Sequence, residues 1–90
     1  MFYRRRTDVR VQHVDGETLV LDEQNGYVHQ FNHTASFILR QCDGQTSTAD
    51  MAINLVHEFG LDRATAARDV SAVIDRMLEL RLISDDLGER

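Results

Sequence analysis

Between Gly26 and Gly44 the chain has to pass from a strand into a helix almost without a linker, which leaves few folds open to it. Tyr27–Phe31 is β-rich, with Tyr27, His29 and Phe31 on one face and Val28 and Gln30 on the other. Asn32 follows as a helix N-cap, since its side-chain carbonyl can accept from an unpaired amide of the first turn. Ala35, Ile38, Leu39 and Cys42 then recur at i, i+3, i+4 and i+7 and form one apolar helical stripe. Asp43-Gly44 is expected to end that helix, with glycine in the left-handed conformation.

The segment before it reads as hairpin partners. Val9, Val11 and His13 alternate with Arg10, Gln12 and Val14, and Asp15-Gly16 is a type I′ hairpin signal because both central residues need positive φ. Leu19 and Leu21 alternate with Thr18 and Val20, and Gln24-Asn25-Gly26 is expected to repeat the I′ turn. Three short strands thus make an antiparallel meander whose third strand can keep a free edge.

The segment after it reads as helices. Ser47 caps a helix carrying Met51, Ala52, Leu55, Val56 and Phe59 and ending at Gly60, with Gln45-Thr46 as the linker before it. Asp62 caps a third helix with the stripe Ala66, Val70, Val73, Ile74 and Met77, and Leu82-Ile83 folds back on the core. Arg4-Arg5-Arg6 is expected in a frayed terminus, and Ser84–Arg90 in a polar tail, disordered at its end. The expectation is one domain over residues 1–90 with an ordered core of about 8–84. Its class is α+β, a winged-helix-like arrangement of a three-stranded antiparallel sheet followed by three helices.

Composition narrows the chemistry. The net charge is −5 and all ten basic residues are arginine, a poor basis for sequence-independent nucleic-acid binding. The third helix sets Arg63, Arg68, Arg76 and Arg81 against Asp69, Asp75 and Glu79, a nearly balanced surface. A winged-helix DNA-binding regulator is the alternative from another function class. No apolar run is long enough to span a membrane and no signal peptide is legible, so the expected location is cytoplasmic.

Nothing assembles a catalytic centre. Ser36, Ser47, Ser71 and Ser84 lack a nucleophile elbow, and the glycines are scattered at turns. His13 and His29 could face the same way on one sheet, with His33 one helical turn later, but no pair has the tight spacing of zinc ligands. The single cysteine, Cys42, lies on an apolar stripe and reads as a buried structural thiol. No catalytic residue, metal site or cofactor is expected. What remains is recognition of an extended peptide by strand addition beside a helix, with Asp69, Val73 and Arg76 on the helix flank.

The segment Gly26–Ala35, the pair Ile38-Leu39 and Cys42-Asp43-Gly44 resemble the hallmark of the PqqD family: a strand ending in Leu-Asn-x-Thr-Ala, an Ile-Leu pair and a closing Asp-Gly. Phe31 stands where leucine is commoner in the family. Thr46, Asp69-Val70, Leu78 and Leu82-Ile83 extend the match over roughly Val11 to Ile83. The resemblance implies a RiPP recognition element. Such a protein is a non-catalytic chaperone that binds the leader of a ribosomally made precursor peptide. It presents that leader to a modifying enzyme, a radical SAM protein or a leader peptidase, in pathways such as PQQ or lasso-peptide biosynthesis. Carried over, Tyr27, Val28, His29, Gln30 and Phe31 would supply the strand edge, and Asp69, Val73, Arg76 and Met77 the helical wall. The oligomeric state is open between a monomer and a dimer that pairs or swaps the same edge.

Overall fold

The computed structural model describes residues 1–85. The end of the expected polar tail, residues 86–90, lies outside the described residues. Nine elements follow in order: β1 (Phe2–Arg5), β2 (Arg10–Val14), β3 (Glu17–Asp22), β4 (Tyr27–Phe31), α1 (His33–Arg40), β5 (Asp43–Ser47), α2 (Thr48–Phe59), α3 (Arg63–Glu79) and β6 (Ile83–Asp85). The class is α+β, with antiparallel pairing throughout.

The expected meander is present as the sheet β2-β3-β4. Its first turn has Asp15 and Gly16 at φ 53° and 83°, as a type I′ turn requires. Gly16 has a second reason to be glycine, because a Cβ there would fall on the His33 ring, whose Nε2 donates to the Asp15 carbonyl at 2.7 Å. The second turn departs from expectation, since only Gly26 takes positive φ there. Asp22 holds it instead, accepting from the Asn25 backbone amide at 3.3 Å and from Asn25 Nδ2 at 2.8 Å.

The core face of the meander carries Thr18, Val20 and Asp22, all buried, with Phe31 opposite Thr18. Leu19 and Leu21 are left half-buried on the outer face. The hydrophobic ranking of side chains does not choose this face. Strand register does, by setting Phe31 and Val20 toward α1.

A second sheet, in the order β5-β1-β6, was not expected, and it corrects three readings. Arg4 and Arg5 are not in a frayed terminus: β1 is the central strand, Tyr3 is 7% exposed, and Thr48 donates its amide to the Met1 carbonyl at 3.0 Å. The strand reads Phe2-Tyr3-Arg4-Arg5, and of these four side chains only Tyr3 is buried, so the arginines stay at the surface. Asp43-Gly44 does not end α1, which stops at Gln41. Asp43 instead starts β5 and accepts from the amides of Gln45 and Thr46 at 2.8 and 2.9 Å, across an irregular pairing in which Phe2 meets Ser47 and Arg4 meets Asp43. Ser84-Asp85 likewise pairs with β1 and is not tail.

The three caps form as read. Asn32, Ser47 and Asp62 accept from the amides of Ala35, Asp50 and Thr65. Ile38, Leu39, Met51, Leu55, Met77 and Leu82 fill the space between the helices. Cys42 is buried, and burial pushes its thiol up to about 12, so it stays protonated at neutral pH.

One polar junction ties the two sheets and α3 together. Arg6 donates to Asp8 at 2.8 Å, to the buried Asp22 at 3.0 Å and to the Arg81 carbonyl at 3.3 Å. The hydrogen bonds from Asn25 and then Arg6 hold the Asp22 carboxyl below the usual carboxylate range, and Arg6 does the same for Asp8. A carboxylate whose folded pKa lies below its unfolded value contributes stability at all higher pH and loses it as pH falls through the folded value. The urea midpoint is therefore expected to fall steeply below about pH 4. Asp22→Asn should flatten that acid limb while lowering the midpoint at pH 7. An unchanged limb would remove Asp22 from the account.

Candidate peptide groove

Among the described residues β4 pairs only with β3, so its other edge keeps free amides and carbonyls. Ser36 fastens the end of this strand, donating its buried hydroxyl to the Phe31 carbonyl at 3.1 Å. Tyr27, His29 and Phe31 form a ring ladder with centroid spacings of 5.9 and 6.5 Å. The ladder rises from buried Phe31 to Tyr27, which is 61% exposed.

Between this ladder and α3 runs a groove with two hollows. At the Phe31 end, about 340 Å³ is bounded by Phe31, Thr34, Ala35, Asp69, Ala72 and Val73. At the Tyr27 end, about 470 Å³ is bounded by Asn25, Tyr27, His29, Glu79, Leu80 and Arg81. The start of β4 thus lies by the end of α3, and the two elements run in opposite directions. An extended segment beside β4 would gain ladder hydrogen bonds and could send alternate side chains into the hollows.

The residues expected at the site do not all reach it. Asp69 and Val73, half-buried, border the groove with the β4 backbone. Val28 is 66% exposed and turns to the outer face with Gln30, whose amide donates to Glu17 at 3.0 Å. Arg76 is exposed beside Glu79, with 3.7 Å between charged atoms, and borders neither hollow. Met77 is a correction: at 0% exposure it is core and offers nothing to a ligand. It continues the buried series Ala66, Val70, Ile74, whereas the wall follows Asp69, Ala72, Val73, Arg76, Leu80 at the same helical spacing. That second series was legible and would have found Ala72 and Leu80. Arg81 lies beyond the helix, where periodicity stops.

The histidines considered for zinc diverge: His13 shares a hydrogen bond with Thr18 Oγ1 at 3.1 Å, His33 holds the Asp15 turn, and His29 stands in the ladder. Among the described residues no group of three or more His, Cys, Asp or Glu side chains is placed to hold a metal ion, and no helix is long and apolar enough to cross a membrane. A smaller hollow of about 180 Å³, lined by Ala52, Ile53, Val56, His57 and Arg63, has no strand edge beside it. The groove flank of α3 mixes Asp69, Arg76 and Glu79, unlike the donor-rich face of a DNA-reading helix.

Known proteins share this fold. The family model described as Coenzyme PQQ synthesis protein D (PqqD) matches residues 17–83. No curated protein matches the sequence. The chain is similar to a lasso peptide synthetase B1 solved in complex with the leader peptide, at 28% identity over 94% of this chain and 100% of that one, with a TM-score of 0.82. It also shares its fold with TbiB1, solved in complex with the TbiA(beta) leader peptide, at 20% identity over 97% and 98% of the two chains and a TM-score of 0.79. A part of the heterocyclase TruD has the same fold at 14% identity, covering 99% of this chain but 12% of that one, with a TM-score of 0.68.

Proposed function

This chain belongs to the PqqD family, and from that premise we propose that it binds the leader of a ribosomally made precursor peptide as a strand added to β4. The observation that carries the reading is the free β4 edge opening on a groove walled by α3. The leader's backbone pairs with Tyr27–Phe31, and side chains directed toward α3 meet Asp69, Ala72 and Val73 at one end and Leu80 and Arg81 at the other. The site residues are Tyr27, Val28, His29, Gln30 and Phe31 through their backbone, with Asp69 and Val73 on the helix. The protein performs no bond chemistry. It holds the peptide for a modifying enzyme, a radical SAM protein or a leader peptidase, and so raises the local substrate concentration there. It acts in the cytoplasm as a single peptide-recognition domain.

The test is an amide NMR titration with the leader halves of short open reading frames encoded beside this gene. Saturable shifts at Tyr27–Phe31 and Asp69–Arg81, with Kd at or below about 1 μM, are expected. Binding that shifts other surfaces and leaves β4 unmoved would overturn the strand-addition site. Binding of duplex DNA with a steep salt dependence would favour the regulator instead.

A further inference from the structure

Arg81 occupies a position that chemistry reserves for glycine. It is the residue after the α3 cap, at φ 60°, and its amide donates to Leu78 O while that of Leu82 donates to Met77 O, each at 3.0 Å. This is a Schellman ending, in which a side chain at the left-handed residue costs free energy that glycine does not. Asp15, the other non-glycine residue with positive φ, is explained by its hairpin turn. The Arg81 carbonyl is used by Arg6, but glycine would supply the same carbonyl. Arg81 borders the groove and, among the described residues, its guanidinium has no hydrogen bond or ion pair. At the opposite end the Asp69 carboxylate has no hydrogen bond or ion pair among the described residues either. Glu79 shares the Tyr27-end hollow with Arg81 but stands 3.7 Å from Arg76 as a loose pair, and Asp22 in the same hollow is engaged by Arg6 and Asn25. The charged side chains of the groove not engaged by another among the described residues are therefore Asp69 by Phe31 and Arg81 by Tyr27.

We propose that the groove reads charge order: it selects peptides with a basic residue N-terminal, and an acidic residue C-terminal, to the segment that pairs with β4. This deepens the leader-binding reading and rests on it. Every pairing in both sheets is antiparallel, and antiparallel ladders are the more stable. A strand added antiparallel to β4 enters beside Phe31 and Asp69 and leaves beside Tyr27 and Arg81. From residue 69 to residue 80, α3 and its cap rise roughly 16 Å. An extended peptide covers that with about five residues. The ligand class is thus an extended peptide with a Lys or Arg about five residues before an Asp or Glu, enclosing small or apolar side chains for the hollows.

A random twelve-residue library displayed on phage, selected on the wild type and on the charge-reversed variant Asp69→Arg/Arg81→Glu, tests this. The wild type should enrich base-before-acid peptides, and the variant the reverse order. Exchanging either charge in a selected peptide should weaken wild-type binding about fivefold, as for a partly exposed pair. Arg81→Gly should weaken binding by the same factor while raising Tm, because the strain is released; a merely structural arginine would leave binding unmoved. Identical charge statistics for both proteins, with enriched peptides still shifting the Tyr27–Phe31 amides, would overturn the charge reading and leave strand addition standing. Acid-before-base enrichment by the wild type would overturn the antiparallel orientation and the proposal with it. Enriched peptides that leave the β4 amides unmoved, or no enrichment at all, would overturn the leader-binding reading itself.

Discussion

Ala72→Trp should leave the Tm of this protein nearly unchanged and weaken leader binding at least about 100-fold, or about 3 kcal/mol. Ala72 is exposed on α3 and borders the hollow between Phe31, Thr34, Ala35 and Val73. An indole there displaces no core atom, and the loss of alanine's helix propensity costs only about 0.5 kcal/mol. It fills the space that a strand paired with β4 needs for its inward side chains. Ala67→Trp is the matched control, on the flank of α3 that borders a separate hollow with Tyr3, Thr48 and Ala49. Titration calorimetry with the leader peptide should separate the two variants. Equal affinities would remove the β4–α3 groove from the binding account.

Deleting residues 1–6 should abolish cooperative unfolding, although this segment looks like a charged tail. The deletion removes the central strand of β5-β1-β6 and leaves β5 and β6 without a common partner. It also removes Tyr3, whose loss as a buried aromatic costs about 3 kcal/mol, from a domain whose whole stability is of order 5–10 kcal/mol. Finally it takes Arg6 from Asp22, so a buried carboxylate keeps only Asn25 as partner. Thermal circular dichroism of the truncated chain should show a broad, shallow transition, while Tyr3→Ala alone should keep a sharp transition at lower temperature. A truncated protein melting within a few degrees of the full chain would show β1 to be dispensable.

The strand edge proposed for the site was legible because it rests on local chemistry. Tyr27–Phe31, the Asn32 cap and the stripe Ala35, Ile38, Leu39 all follow from neighbours in sequence. The helical wall was half legible. Asp69 and Val73 sit on the correct flank, but Met77 is one position around the helix from it, a step of about 100° that separates surface from core. Arg81 escaped because its role depends on the chain leaving α3 in a left-handed turn and on β4 lying opposite.

Sequence alone determined the pieces whose energies are local: the Asp15-Gly16 turn, the caps at Asn32, Ser47 and Asp62, and the buried faces of the three helices. Tertiary structure decided what depends on partners far apart in the chain. It made Phe2–Arg5 the centre of a sheet whose other strands begin at Asp43 and Ile83. It turned Asp22 inward against Arg6, and it set Asp69 and Arg81 at opposite ends of the groove. A four-residue strand has too little pattern of its own to be read, and its stability comes almost wholly from the strands it meets.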